Sequence, residues 1–205
     1  MTRSPAVIIL AGGKSTRFKR DKVLSEFPPG SGQTLLEHLL SRFGRYSEVV
    51  IVVSRRLYAA VKPIAGPEAT VVTDEVRDLG PLEGLRVGLK QLSGQYAFVV
   101  ACDQPFASPE LGCFLHGLAA TMKADVVAVK IGGYLEPLQA IYSKLCVVEI
   151  ERALSRGERR IISFYDHVAT SIVDIEQLPE GLRSRRTFLN INSPTDYEEA
   201  VRRWV

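Results

Sequence analysis

The sequence predicts an α/β fold with a mostly parallel central sheet, and two patterns support this. Apolar runs of strand length alternate with helical patterns along the chain, which is the signature of βαβ units. The runs are continuous rather than alternating, as expected for strands that helices cover on both faces. The clearest runs are Ala6 to Leu10, Val49 to Val53, Ala69 to Thr73, Ala97 to Ala101 and Val126 to Ile131.

Capping residues mark the starts of several helices. Thr34 and Glu37 form a capping-box pattern ahead of an apolar stripe. Ser108-Pro109 and Ser193-Pro194 each place an N-cap serine before a proline at the first helical position. The elements expected in the last third of the chain are a strand at Leu138 to Tyr142, helices near Lys144 to Ser155 and Arg159 to His167, a strand near Thr170 to Ile175 and a short strand at Phe188 to Ile191.

Composition describes an ordinary globular protein. With 205 residues, 46% of them hydrophobic and 24% charged, we expect one α/β domain spanning residues 1–205. The chain lacks an apolar run of roughly 18 residues and a secretory signal pattern, so we expect a cytoplasmic location and no membrane partner. A net charge of +3 is too small to predict nucleic-acid binding. Cys102, Cys113 and Cys146 lack CxxC spacing, which favours buried thiols over a disulfide or zinc site.

The first strand leads into a glycine-flanked cluster of positive charge, LAGGKSTRFKRDK, which spans Leu10 to Lys22. Glycine lets the backbone approach a ligand closely and expose its N–H groups to an oxyanion. Two familiar phosphate loops do not fit, because Ile8 stands where a Walker A motif needs glycine and the G-x-G-x-x-G spacing is absent. A phosphate-binding loop of another type and a generic turn with a solvated basic face both remain open.

Further polar residues follow the later strands, where open parallel sheets bind their ligands. Asp103 comes directly after the fourth strand, and a carboxylate there is a good ligand for Mg²⁺, although such residues are also common in turns. Asp74 follows the third strand, with the same alternative. Asn190 and Asn192 could complete a metal shell or cap a loop. A basic loop, a carboxylate and an asparagine pair at one sheet edge favour a metal-bound nucleoside triphosphate.

With these motifs the chain resembles the molybdenum cofactor guanylyltransferases, which join GMP from GTP to molybdopterin. The resemblance covers roughly Val7 to Tyr197. The motifs that carry it are, in order, LAGGKSTRFKRDK, GPLEGL, ACDQPF, EPLQAIY, GERRIISF and NINSPTDY. It implies a three-layer Rossmann-like nucleotidyltransferase fold, Mg²⁺ as the cofactor, and GTP and molybdopterin as substrates. Cofactor-delivery proteins and molybdoenzymes are further candidate partners.

The resemblance also implies roles for individual residues. Arg17 and Lys22 would be the phosphate ligands and, with Asp103, the catalytic residues. Asp103 would hold the metal, with Asn190 and Asn192 beside it. The implied nucleotide-binding residues are Leu10, Ala11, Gly12, Gly13, Lys22, Asp74, Gly80, Pro81, Leu82 and Asp103. Arg159 and Arg160 would bind the acceptor, although this arginine-rich run could equally be a solvated helix face.

Three positions depart from the family pattern. Phe18-Lys19 stands where Met-Gly is common, so the loop could close differently. Val52 to Arg55 lacks the asparagine that touches nucleotide in the family, and that contact is not expected here. Glu83 replaces a small residue, and it could accept a hydrogen bond from guanine or face solvent in the first turn of a helix.

The expected reaction needs charge stabilisation rather than a strong nucleophile. A phosphate monoester is already anionic, so catalysis would come from in-line positioning and from cations around the triphosphate. The histidines, His38, His116 and His167, fall in helical segments and are expected to be structural.

Guanine offers N1–H and N2–H₂ as donors, and backbone carbonyls near Gly12, Gly13 and Gly80 to Leu82 could accept these hydrogen bonds. Two alternatives stay open: another phosphorylated acceptor, such as cobinamide phosphate or a sugar phosphate, and a non-catalytic nucleotide-binding protein.

Overall fold

A computed structural model of the chain describes residues 5–12, 21–74 and 80–204. Within these ranges, seven strands form one sheet in the order β3-β2-β1-β4-β6-β5-β7. The strand β6 is antiparallel to its neighbours β4 and β5, and all other pairs are parallel. The predicted α/β fold with a mostly parallel sheet is therefore confirmed. The strands are β1 (Ala6–Leu10), β2 (Val49–Val53), β3 (Ala69–Thr73), β4 (Tyr96–Ala101), β5 (Val126–Ile131), β6 (Tyr134–Ser143) and β7 (Thr170–Asp174).

Helices cover both faces of this sheet and complete a three-layer arrangement. The α-helices of the described residues are α1 (Leu35–Phe43), α2 (Tyr58–Ala65), α3 (Pro81–Gln91), α4 (Pro109–Met122), α5 (Cys146–Ser155) and α6 (Pro194–Arg202). Successive strand side chains point to opposite faces, so neighbours in β1 enter different cores. Ile9 packs in the cluster that includes α1, α2, α4 and α6, and Ile8 in the cluster that includes α3 and α5. The prediction of a single domain stays a prediction.

The predicted helix starts are confirmed. Thr34 accepts from the Glu37 amide at 3.2 Å, and the Glu37 carboxylate accepts from the Thr34 amide at 2.7 Å, as in a capping box. Ser108 caps α4 and Ser193 caps α6, each followed by proline at the first helical position.

The last third of the chain differs from the prediction in two places. The expected helix from Arg159 is a 3₁₀ helix, Ile161–His167. The expected strand from Phe188 to Ile191 is wrong, because a 3₁₀ helix, Arg185–Phe188, precedes a segment that joins no ladder of the sheet. Phe188 and Ile191 are buried in the core beside α4 and α6, so packing rather than strand pairing accounts for their apolar character.

The cysteine prediction is partly right. Cys102 and Cys146 are buried, whereas Cys113 is exposed, so the expectation of a buried thiol is wrong there. Burial raises the pKa of the Cys146 thiol to about 12, which keeps it protonated at neutral pH. In the described ranges, no helix is both long and apolar enough to cross a membrane.

The close approach of α3 to the sheet depends on glycine. A Cβ atom placed on Gly88 would lie 2.6 Å from Cγ2 of Ile8 and 3.2 Å from Cγ2 of Val52. Both neighbours are β-branched strand residues with little freedom at χ1, so neither can move aside easily. The glycine therefore sets how deeply α3 packs on β1 and β2.

We expect Gly88→Ala to lower the free energy of unfolding by about 1–3 kcal/mol, the usual effect of overpacking a core. Gly117→Ala in α4 is the matched control, because nothing lies within 4 Å of the added Cβ. That variant should be neutral or stabilising by up to about 1 kcal/mol, since alanine favours helix. Urea unfolding of both variants makes the comparison, and equal stability of Gly88→Ala and wild type would contradict the packing described.

Candidate active site

A cavity of about 470 Å³ opens beyond the carboxyl ends of β1 and β4. Its size is typical of small-molecule sites, and its place is where open parallel sheets bind ligands. The described residues that line it are Leu10, Ala11, Gly12, Asp21, Lys22, Val23, Leu57, Pro81, Ala101, Cys102, Asp103, Leu138, Asn190 and Asn192.

The Lys22 ammonium joins two other segments at this cavity. Its Nζ lies 3.3 Å from Oδ2 of Asp103, donates to the Ile191 carbonyl at 2.7 Å and reaches Oδ1 of Asn192 at 3.4 Å. The side chains of Lys22 and Asp103 are 18% and 26% exposed, so water only partly screens their attraction. An ammonium and a carboxylate therefore face one another where a charged ligand can enter.

Backbone hydrogen bonds hold the same segments in register. The Cys102 amide donates to the Leu10 carbonyl at 2.9 Å, which joins the end of β4 to the end of β1. The Ile191 amide donates to the Asp103 carbonyl at 2.8 Å. This bond attaches the segment that carries Asn190 and Asn192 to the turn after β4. The site is thus built on main-chain contacts that do not depend on a ligand.

Two buried side chains support the turn that presents Asp103. Gln104 accepts from the Ala101 amide at 3.1 Å through its Oε1 atom. The ring of His38, from α1, lies behind the turn with Nε2 2.8 Å from the Pro105 carbonyl. Burial, and secondarily the nearby Arg42, lowers the pKa of His38, although the hydrogen bond to Pro105 acts in the opposite direction. His38 is therefore neutral at pH 7 and donates from Nε2, in agreement with the structural role predicted for it.

The oxygens around Lys22 fit a divalent cation. Asp103 supplies a carboxylate, Asn192 an amide oxygen and Ile191 a carbonyl, which are the hard ligands that Mg²⁺ prefers. The ammonium of Lys22 shows that one cation can contact all three. No group of three or more His, Cys, Asp and Glu side chains that could hold a metal occurs in the described part of the chain. A metal held here would need water or phosphate oxygens as further ligands, as is usual for Mg²⁺.

Most of the predicted site residues meet at this cavity. Those among its lining are Leu10, Ala11, Gly12, Lys22, Pro81, Asp103, Asn190 and Asn192. Gly13 and Arg17 lie outside the described residues. Asp74, Gly80, Leu82, Arg159 and Arg160 are described but are not part of the lining.

The residues outside the lining have identifiable positions. Leu82 is fully buried in the core, so only its main chain is left for a ligand. Gly80 has φ +76°, and its nearest outside neighbour is the Arg159 carbonyl, 3.6 Å from an ideal Cβ. Gly157 to Arg160, called the GERR segment below, therefore adjoin the start of α3, next to Pro81. Arg159 and Arg160 are themselves exposed. The Asp74 amide donates to the Val53 carbonyl at 3.2 Å, which keeps it at the end of β2.

Of the two roles left open for Glu83, exposure to solvent is excluded. Its side chain is 2% exposed, and both carboxylate oxygens accept from Arg86, at 2.8 and 3.0 Å. Arg86 also contacts Glu151 of α5 at 3.2 Å. Glu83 is thus part of an ion-pair network that joins α3 to α5, and it is not among the residues that line the cavity.

Several lining residues were not singled out from the sequence. Val23, Leu57 and Leu138 form apolar walls, and Asp21 pairs with Arg56 at 2.8 Å. Leu138 stands in the motif EPLQAIY, so that motif was the available signal. Asp21 likewise stands in the motif LAGGKSTRFKRDK. No local pattern marks Val23 and Leu57, because they reach the cavity only through the fold.

Comparison with known proteins is consistent with this geometry. Residues 7–169 match the family model described as the MobA-like NTP transferase domain. The chain belongs to this family. A probable molybdenum cofactor guanylyltransferase of Carboxydothermus hydrogenoformans is 34% identical over 197 residues, which cover 96% of this chain and 94% of the relative. The molybdenum cofactor guanylyltransferase of Syntrophotalea carbinolica is 32% identical over 196 residues, covering 95% and 89%.

A solved structure of a MobA-like protein agrees as well. Molybdopterin-guanine dinucleotide biosynthesis protein A from Archaeoglobus fulgidus superposes with a TM-score of 0.84 at 26% identity, covering 97% of this chain and 98% of that one. The resemblance seen in the sequence motifs is therefore confirmed at the level of the family and the fold.

We expect stability to fall as the pH drops through about 6.5, because the unfolded chain then binds a proton that the buried His38 resists. His116 shares this direction, since burial lowers its pKa too. His38→Gln should therefore show a smaller loss of melting temperature between about pH 7.5 and pH 5.5 than wild type. His167→Gln is the control, because it makes the same substitution at an exposed histidine. A pH dependence that His38→Gln leaves unchanged would contradict the neutral state assigned to His38.

Proposed function

We propose that this chain transfers GMP from GTP to the phosphate of molybdopterin, with release of pyrophosphate, and so forms the guanine dinucleotide cofactor. The observation that carries the proposal is the convergence of Lys22, Asp103 and Asn192 at one cavity. The names of the full-length relatives support the choice of GTP and molybdopterin. The enzyme would act in the cytoplasm, with cofactor-delivery proteins and molybdoenzymes as its protein partners.

The proposed metal would be held at the carboxylate of Asp103, with the amide oxygens of Asn190 and Asn192 beside it. When bound, Mg²⁺ would neutralise charge on the phosphates and on the departing pyrophosphate. Lys22 would donate to phosphate oxygens. Arg17, which lies outside the described residues, is proposed as the second phosphate ligand.

The chemistry needs little from a general base. A phosphate oxygen of molybdopterin forms a bond to the α-phosphorus of GTP, while the bond to the bridging oxygen breaks and pyrophosphate leaves with that electron pair. A phosphate monoester is largely dianionic at neutral pH, so its oxygen is already a nucleophile. The residues need only align two anions and offset their repulsion, which Lys22 and the cavity geometry favour.

Guanine would be recognised by main-chain atoms. Gly12 and Pro81 both line the cavity, and the carbonyls near Gly12, Gly13 and Gly80 to Leu82 are the proposed acceptors for its N1–H and N2–H₂. A base that lacks these donors would leave buried acceptors unpaired, which is costly. The GERR segment adjoins Gly80, so Arg159 and Arg160 are proposed to meet the acceptor phosphate.

Pyrophosphate release tests the proposal directly. We expect release with GTP and molybdopterin in the presence of Mg²⁺, and much less with ATP, with CTP, or with a sugar phosphate or cobinamide phosphate as acceptor. Asp103→Asn should reduce turnover by at least about 100-fold, because the amide keeps the shape and loses the charge. Asp174→Asn is the control, since it removes an aspartate paired with Lys130 at 3.1 Å on β5 and β7. GTP binding without any turnover would favour the non-catalytic alternative, and turnover only with another acceptor would replace molybdopterin.

We expect Lys22→Met to have opposite effects on the metal and on the nucleotide. Without nucleotide, Mn²⁺ should bind several-fold more tightly than in wild type, because the ammonium no longer occupies the oxygens of Asp103, Ile191 and Asn192. GTP should bind more weakly, because a phosphate ligand is lost. Electron paramagnetic resonance of free Mn²⁺ and GTP titration measure the two effects, with Lys130→Met as the control. Unchanged Mn²⁺ affinity would show that Lys22 and the metal do not share ligands.

A further inference from the structure

We propose that Gln139 is a positioning residue. It sets the spacing between the segment that carries Asp103 and the segment that carries Asn190 and Asn192. The inference rests on the proposed function, because it assigns these segments to the nucleotide and metal site. Gln139 lies in β6 and contacts both segments at once. Its role differs from that of the cavity-lining residues, since Gln139 is not itself part of the lining.

The side chain of Gln139 bridges two main chains. Its Oε1 atom accepts from the Ser108 amide at 3.1 Å, and its Nε2 atom donates to the Thr187 carbonyl at 2.6 Å. Ser108 follows Asp103 on the segment that enters α4, and Thr187 precedes Asn190 on the segment that returns to the cavity. One amide group thus connects the two chain segments that supply the oxygens around Lys22.

The backbone of Gln139 is held in an unusual conformation. Its φ is +65°, a left-handed value that residues other than glycine adopt rarely, and the residue is fully buried. Such conformations persist where the surroundings determine them strongly, and they are frequent at functional sites. The conformation and the two hydrogen bonds together indicate that the position of this amide is tightly fixed.

A bulge in β6 explains how the residue reaches both partners. The pairing of β5 with β6 shifts register between Val127, which pairs with Ile141, and Val129, which pairs with Glu136. Residues 137–140 therefore have no partner in β5, although Ala140 still pairs with Val99 of β4, and Leu138 enters the cavity wall. The Tyr142 hydroxyl supports the bulge by donating to the Pro137 carbonyl at 2.5 Å. Bulges of this kind re-aim side chains next to active sites.

Two substitutions separate the bridge from simple packing. Gln139→Met keeps the length of the side chain and removes both hydrogen bonds. Gln139→Glu keeps an acceptor for the Ser108 amide and loses the donor to the Thr187 carbonyl. The matched control is Lys144→Met, which removes a side-chain hydrogen bond of 2.6 Å to the Leu92 carbonyl next to the far end of β6. The readouts are the melting temperature, the affinity for Mn²⁺ with GTP bound, and kcat and KM for pyrophosphate release.

We expect Gln139→Met to be folded at the assay temperature. With GTP bound, it should bind Mn²⁺ at least about 10-fold more weakly than wild type, and its kcat should be at least about 10-fold lower. Losses of this size are usual when contacts that support metal ligands are removed. Gln139→Glu should be at least as impaired as Gln139→Met, because a buried carboxylate oxygen would face the Thr187 carbonyl without a proton between them. Lys144→Met should lower the melting temperature while leaving the Mn²⁺ affinity and kcat within about twofold of wild type.

Three results would overturn the proposal. They are near-normal Mn²⁺ affinity and kcat in folded Gln139→Met, an equal loss of both in Lys144→Met, and failure of both Gln139 variants to fold, which would make the residue structural. The proposed function can fail separately. If wild type binds Mn²⁺ and GTP but transfers nothing to molybdopterin, weaker Mn²⁺ binding by Gln139→Met would still support the positioning role.

Discussion

The organisation of the site depends on the contact between the Lys22 ammonium and three oxygens from other parts of the chain. Asp103, Ile191 and Asn192 supply these oxygens, and a single cation holds them together. A carboxylate in a partly shielded cavity is costly without a positive partner, so the lysine stabilises the arrangement. The oxygens that suit this ammonium are also the ones that suit a divalent cation, and one group of atoms can therefore serve two different charges.

The sheet topology makes this contact possible. β1 and β4 are neighbours in the sheet although they are distant in sequence, so the loop after β1 and the turn after β4 lie side by side. The antiparallel β6 enters next to β4 and brings its bulge to the same edge. Close packing of α3 through Gly88 then places Pro81 at the cavity wall. Each layer of the fold thus contributes one side of the site.

Much of the fold could be predicted because its signals are local. Continuous apolar runs identified the parallel strands, and the caps at Thr34, Ser108 and Ser193 identified helix starts. The segment from Phe188 was misread, because an apolar run does not reveal whether a sheet or a helical layer buries it. Glu83 pairs with Arg86 within α3, which is a local contact, but Arg86 reaches Glu151 and the pair becomes buried only when α3 packs on α5. Gln139 stands in the motif EPLQAIY, but the motif does not reveal its role, because that role depends on a distant carbonyl and a distant amide group.

The contacts of Lys22 also bear on the order in which ligands bind. While the ammonium lies among the oxygens of Asp103 and Asn192, a free metal must compete with it for them. Phosphate oxygens would draw the ammonium away and, at the same time, add ligands for the metal. A nucleotide and its cation would therefore bind more favourably together than either would alone, which is positive coupling between two ligands at one site. Preferential binding of a metal-nucleotide complex would thus follow from the arrangement of charges before either ligand binds.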